Sequence, residues 1–501
     1  MVDVCLLIEG AYPFVSGGVS SWMHALITNL PHYTFAIVHL SDKPDPERKR
    51  KYQLPANVVE FSEVFIHDVE SVGEVRRPPL ALQTWRELSE FHTALHADVP
   101  FANDDFMVWL GRSDHAGLSN HDLFYSQEGW ELISALYSQF APDKSFVDYF
   151  WTFRFTHLPL FALMEAPLPQ ARLYHAVSVG FGGFLGALAR LRTGRPLLLT
   201  EHGIYTRERE IEIAQAEWIY IEKQQHYQLG RRFDFFQQWW LNMFRYMTRL
   251  SYEQAERIIT ITGVNTRYQL RYGAAPEKLG IIPNGIDTQK LSQLAPVNRT
   301  DGAFNVGFVG RVVPIKDVKT FIRSIKVAST VIPTIHAYII GPTDEDPAYF
   351  AECEQMLDLL SVRDYITFTG QARVDNYFPM LDVLVLTSLS EGQPLVILEG
   401  NCAGVPVVAT DVGACRELLM GMHAEDAALG PSGILTPADS PNETANALIR
   451  LWRTPAMRAA MGRSGRARVL RYYRQETLYS AYNDLYRHLA DLPTAARKSG
   501  K

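Results

Sequence analysis

Short apolar runs bounded by turn residues alternate along this chain with segments whose apolar positions recur at helical spacing. In the first half the runs Val2–Glu9, Phe35–Leu40, Val58–Phe61, Leu173–Val177, Pro196–Thr200 and Arg257–Thr262 read as strands. In the second half the same holds for Val306–Val309, His336–Ile340, Ile366–Thr369, Val383–Leu386, Pro406–Ala409 and Gly433–Leu435. Helical spacing predicts helices over Gly18–Leu30, Val318–Val331, Leu395–Cys402 and Gln475–Leu492. Two such alternating series imply two parallel sheets, each with helices on both faces. The expected boundaries are a first domain over residues 1–290, a second over 291–472 and a terminal helical segment over 473–501.

Two stretches exceed a minimal domain of this kind. Residues 68–168 are rich in aromatics, among them Phe106, Trp109, Trp130, Tyr149, Phe150 and Trp151. Residues 207–256 read as long helices carrying Trp218, Trp239 and Trp240. Such rings serve either as core packing or as a surface for saccharide or partner, and the pattern leaves both open.

Composition narrows the class. The 501 residues are 47% hydrophobic and 21% charged, as in a globular protein too long for a single core. A net charge of −7 gives no reason to expect nucleic-acid binding. No run approaches the roughly 20 apolar residues of a spanning helix. Val2–Ile8 reads as a strand without a basic leader, and the four cysteines lack metal-ligand spacing. A reduced, cytoplasmic setting is therefore expected. The basic run Arg48–Lys51 reads as a solvated loop, and Asp344–Asp346 as a solvated turn rather than a metal site.

The chemistry concentrates in the second half. Glu391 and Glu399 stand eight residues apart, on either side of a turn between the strand Val383–Leu386 and the helix Leu395–Cys402. Pro394 occupies a place suited to a first helical residue. Carboxylates accept from sugar hydroxyls, and the amides of a helix start favour phosphate or hydroxyl oxygens. Arg311 and Lys316 leave the end of another strand, five residues apart, and both suit phosphate. The combination fits a polyhydroxyl ligand carrying phosphate.

Gly310-Arg311 with Lys316, the Glu391/Glu399 pair and Ile282-Pro283-Asn284-Gly285-Ile286-Asp287 together resemble the donor half of retaining family 4 glycosyltransferases of the GT-B fold. The opening Glu9-Gly10-Ala11-Tyr12-Pro13-Phe14-Val15-Ser16-Gly17-Gly18 and the segment Thr200-Glu201-His202-Gly203-Ile204-Tyr205 are similar to PelF-type enzymes of Pel exopolysaccharide synthesis. The resemblance implies an α/β GT-B architecture, two Rossmann-like domains facing across a cleft, with the terminal helix returning to the first. It implies Arg311, Lys316, Glu391 and His202 as catalytic residues. Gly17, Gly18, Arg373, Gly392, Gln393, Pro394, Leu395 and Glu399 would bind the donor, and a hinge would lie near Asn284–Asp287. A UDP-sugar, either UDP-N-acetylhexosamine or UDP-glucose, would be the substrate, with no cofactor and no metal.

The implied product is a Pel-like exopolysaccharide, extended from a saccharide acceptor beside inner-membrane export proteins that recruit the enzyme to the membrane. Both a Glu391 nucleophile and front-face attack remain open for the retaining step. Alternatives are a glucan synthase or phosphorylase of the same fold, and a nucleotide-sugar-binding scaffold without turnover.

Overall fold

The computed structural model describes residues 1–67, 80–101, 118–215, 233–294 and 302–494. Phe106, Trp109 and Trp218 lie outside these described residues, as do positions 295–298 of the segment Pro283–Asn298 that the sequence offers as the link between the two domains. The chain divides into two compact units. The first holds Met1–Thr260, Asn265–Gly280 and the end of the chain from Tyr482; the second holds Ile261–Val264 and Ile281–Ala481.

The first unit is built on a seven-stranded sheet in the order β3-β2-β1-β4-β5-β6-β7. Its strands are β1 (Val2–Glu9), β2 (Phe35–Ser41), β3 (Val58–Phe65), β4 (Ala171–Ala176), β5 (Leu197–Glu201), β6 (Arg257–Thr260) and β7 (Leu279–Ile281). From β1 to β6 every pairing is parallel. Strand β7 escaped the sequence pattern because three residues give periodicity nothing to act on. The second unit has a six-stranded, wholly parallel sheet in the order β10-β9-β8-β11-β12-β13. These strands are β8 (Phe304–Val309), β9 (Ile335–Ile340), β10 (Ile366–Gly370), β11 (Val383–Leu386), β12 (Val407–Thr410) and β13 (Gly433–Thr436). Strands buried on both faces need apolar residues on both, so β2, β5, β11 and β12 are buried at every position.

Some of the rings in the aromatic insertions pack as core. Tyr149, Phe153 and Trp239 are buried in the core of the first unit, and Trp239 donates to Thr156 Oγ1 at 3.0 Å. Trp130, Trp151 and Phe155 remain about half exposed on their helices. The basic run is exposed at Lys49, Arg50 and Lys51, as expected of a solvated loop, and only Arg48 is half-buried. Arg48 lies over the Phe14 ring and pairs with Glu63, and Arg50 lies over Phe61. Stacking on aromatic faces suits the weakly hydrated guanidinium.

The helix Gln475–Ala490 carries the end of the chain into the first unit. There Tyr486 and Tyr482 are fully buried. Their hydroxyls reach His175 Nδ1 at 2.8 Å and Thr200 Oγ1 at 3.0 Å. Among the described residues no helix is long and apolar enough to cross a membrane.

Candidate active site

In the second sheet β8 and β11 are neighbours, but the chain leaves them in opposite directions, to β9 and to β12. The loops after β8 and β11 therefore diverge, and the carboxyl ends of these strands frame the crevice where open α/β sheets bind ligands. Lys316 comes from the first loop and Glu391 from the second. Lys316 Nζ stands 2.5 Å from Glu391 Oε1, with the side chains 19% and 11% exposed.

The backbone holds that juxtaposition. Leu389 N–H donates to Ile315 O at 2.9 Å. The Thr387 hydroxyl reaches the carbonyls of Lys316 and Asp317 at 3.1 and 2.9 Å. Asp317 takes a left-handed turn at φ 46° and caps the helix Val318–Ser329 by accepting from Thr320 N–H. On the other loop, Ala414 N–H donates to Gly392 O at 2.9 Å. Gly413 has φ 51°, and a Cβ there would stand 1.9 Å from the Glu391 carbonyl oxygen, so only glycine lets the two segments meet.

Pro394 is the residue before the helix, not its first helical residue: its ψ of 105° is extended, and Leu395–Cys402 follows. No side chain caps this helix, which leaves first-turn amides for a ligand. Gly392 and Leu395 are exposed beside it. Gln393 is buried, and its side chain accepts from Asn284 N–H at 2.8 Å. Glu399 follows on the second helical turn. Burial raises its carboxyl pKa, with a smaller push in the same direction from Asp375.

Two expected cations are occupied elsewhere. The Arg311 guanidinium pairs with Glu345, so the acidic run is not simply a solvated turn, and its Asp346 caps the helix Pro347–Leu359. Arg373 is 74% exposed and contacts Asp375 at 3.4 Å, an aspartate that Lys290 also engages. No spacing in the sequence announces Glu345, Asp375 or the Gln393 side chain, because each finds its partner through the fold.

In the first unit His202 follows β5. Its ring meets Trp22 edge-on at 4.6 Å, burial lowers its pKa to about 4, and its Nε2 has no hydrogen-bond partner among the described residues. Beside it Glu201 accepts from Tyr252 and Gln269 at 2.6 and 2.8 Å, while burial raises its pKa to about 7. Gly17 and Gly18 are exposed at the uncapped start of the helix Gly18–Asn29, with open space where a Cβ would stand.

Residues 2–277 match the family model described as "Domain of unknown function (DUF3492)". The chain belongs to the DUF3492 family. Beyond its DUF3492 region, residues 303–454 match the model for glycosyl transferases group 1. A D-inositol 3-phosphate glycosyltransferase of Kineococcus radiotolerans is 28% identical over 229 residues, 42% of this chain and 52% of that protein. An MMP alpha-(1->4)-mannosyltransferase of Mycolicibacterium hassiacum is 26% identical over 297 residues, 58% of this chain and 64% of that protein. The chain thus spans about half the length of the first of these curated relatives.

Among solved structures, sucrose-phosphate synthase from Thermosynechococcus elongatus superposes with a TM-score of 0.56 at 17% identity, covering 97% of this chain and 99% of that one. Anabaena HepE in complex with UDP gives a TM-score of 0.56 at 14% identity, covering 97% and 100%. With two parallel-sheet, Rossmann-like units and these neighbours, the DUF3492 chain has the GT-B fold.

Proposed function

We propose that this protein is a glycosyltransferase that moves a sugar from a nucleotide-sugar donor, and that the crevice between β8 and β11 holds that donor. The observation carrying the proposal is the Lys316–Glu391 pair at the switch point of the six-stranded sheet. The likeness of residues 303–454 to glycosyl transferases group 1 supports it. HepE, a neighbour in fold, has been solved with UDP and with UDP-glucose, which makes a UDP-sugar the donor to try first.

Cleaving the bond between an anomeric carbon and a phosphate oxygen sends negative charge onto the departing diphosphate. A cation already fixed where that charge grows lowers the barrier without reorganising at the moment of reaction. In this reading Lys316 is that cation, and Arg311 joins it by exchanging Glu345 for phosphate. Glu391 and the amides of Gly392 to Leu395 position the sugar, and Glu399 accepts from the ribose hydroxyls. No metal or cofactor takes part. The reaction retains the anomeric configuration, and by the PelF resemblance the acceptor is a growing exopolysaccharide.

A thermal-shift series with UDP, ADP, GDP and their sugars tests the donor. A ligand at 100 times its dissociation constant adds about 2.7 kcal/mol to folding stability, and Glu399→Ala should remove that gain. Transfer of labelled sugar from the best-binding donor to a saccharide primer then tests turnover. Binding without transfer to any primer would leave a scaffold, and no binding at all would end the proposal.

A further inference from the structure

The chain enters the second unit at Ile281 and leaves it after Ala481, and within that unit the passages around Ile286 and Arg474 run side by side. Ile286 N–H donates to Tyr473 O at 2.9 Å, and Gln475 N–H donates back to Ile286 O at 3.1 Å, a parallel bridge between Ile286 and Arg474. Gly285 allows the approach, since a Cβ there would meet the Arg474 carbonyl at 2.6 Å. Asn284, one residue earlier, is gripped from another direction. Gln393 Oε1 accepts from Asn284 N–H at 2.8 Å, and Gln393 Nε2 reaches Asn284 O at 3.5 Å.

Gln393 sits two residues after Glu391, in the loop whose amides open the helix Leu395–Cys402. Only 9% of it is exposed. A buried amide committed to one backbone position is a stiff tie, because releasing it leaves donor and acceptor unpaired. The Asn284 side-chain Oδ1 is also buried and has no hydrogen-bond partner among the described residues. The turn on the far end of the tie thus keeps one acceptor unsatisfied.

We infer that Gln393 is a positioning residue that mechanically ties the ligand loop to the entry passage, so that occupancy beside Glu391 is felt at residues 282–287. The inference rests on the donor reading above. It goes beyond that reading by giving the Gln393 side chain a task no donor contact requires. Ligand in the crevice fixes the loop, the loop fixes Gln393, and Gln393 fixes Asn284. The passage through which the chain reaches its other unit then opens less often when the site is filled.

Amide hydrogen exchange on the full-length protein, with and without UDP, tests the inference. In the native protein UDP should slow exchange over residues 282–287 about tenfold, the scale of a local opening made rarer. Gln393→Met keeps the volume and removes both hydrogen bonds. It should still bind UDP by thermal shift, yet lose the protection at 282–287 and drop kcat with KM for the donor little changed. Gln393→Glu keeps an acceptor for the Asn284 N–H and should retain most of the protection.

Bound UDP with no protection at 282–287 in the native protein overturns the inference, and this needs no variant. Equal protection in native and Gln393→Met proteins overturns it too. A flat thermal shift with UDP in the native protein is a different failure. It removes the donor reading and this inference with it.

Discussion

Arg468 Nε stands 2.6 Å from Asp426 Oδ1, and neither side chain is accessible to solvent beyond 1%. The guanidinium also reaches the carbonyls of Leu419 and Gly430 at 3.0 and 2.9 Å, while Asp426 accepts from Met422 N–H. Removing one partner strands the other charge in the core. Arg468→Ala and Asp426→Ala should therefore each cost about 3–5 kcal/mol. Urea unfolding of each variant measures this, and a loss below about 1 kcal/mol would contradict the arrangement.

Lys316→Ala takes away the cation at the proposed leaving group and leaves the Glu391 carboxylate facing the diphosphate. Turnover of the best donor should fall by about 100–1,000-fold, the usual cost of losing one fixed stabiliser of developing charge. Unchanged kcat at saturating donor would remove Lys316 from the chemistry.

At Gly413 the added methyl of alanine would collide with the Glu391 carbonyl and hold φ at a value alanine resists. Gly413→Ala should displace Glu391 and abolish the UDP-induced thermal shift while the protein remains folded by circular dichroism. An undiminished shift would mean that Glu391 is not placed by this contact.

Glu201 makes stability fall with rising pH. Its folded pKa, about 7, lies above an ordinary value of 4.5 because burial outweighs the hydrogen bonds from Tyr252 and Gln269. Between those values the folded state holds a proton that the unfolded state has released. The stabilisation is complete below pH 4.5 and is lost as pH rises toward 7, by on the order of 3 kcal/mol. Buried His39, His92, His96, His175 and His202, all with lowered pKa, push the other way below pH 6.5. Comparing native protein with Glu201→Gln at each pH cancels that contribution. The native protein should lose ground to the variant from pH 5 to pH 7.5 in urea unfolding, and parallel curves would refute the shift.

Tyr486→Phe deletes the hydroxyl paired with His175 Nδ1 and leaves that nitrogen buried without a partner. The cost should be about 1–3 kcal/mol, seen as a lower midpoint in thermal unfolding. A neutral result would show that His175 is satisfied by Thr200 alone.

Much of the architecture could be read from residue pattern, and the reason is physical. A strand covered on both faces must be apolar almost throughout, so Val383–Leu386 and Val407–Thr410 stand out against their polar flanks. Lys316 and Glu391 were expected in one crevice because each follows the carboxyl end of a strand, and the strands proved to be neighbours. What stayed hidden depends on pairings across long separations. Arg311 meets Glu345, Gln393 meets Asn284 and Arg48 settles on Phe14, and nothing local to either partner marks these. Pro394 erred by a single position, the usual scatter of a helix boundary.

The His175–Tyr486 hydrogen bond joins residues 311 positions apart, with all of the second unit between them. During translation the amino-terminal sheet must wait until the ribosome has passed Tyr486 before this aromatic wedge arrives. A nascent chain halted before Tyr482 would keep His175 and Thr200 looking for partners not yet made. The sheet begun first is thus completed late, and a stop codon before Tyr482 would injure packing laid down far upstream of it.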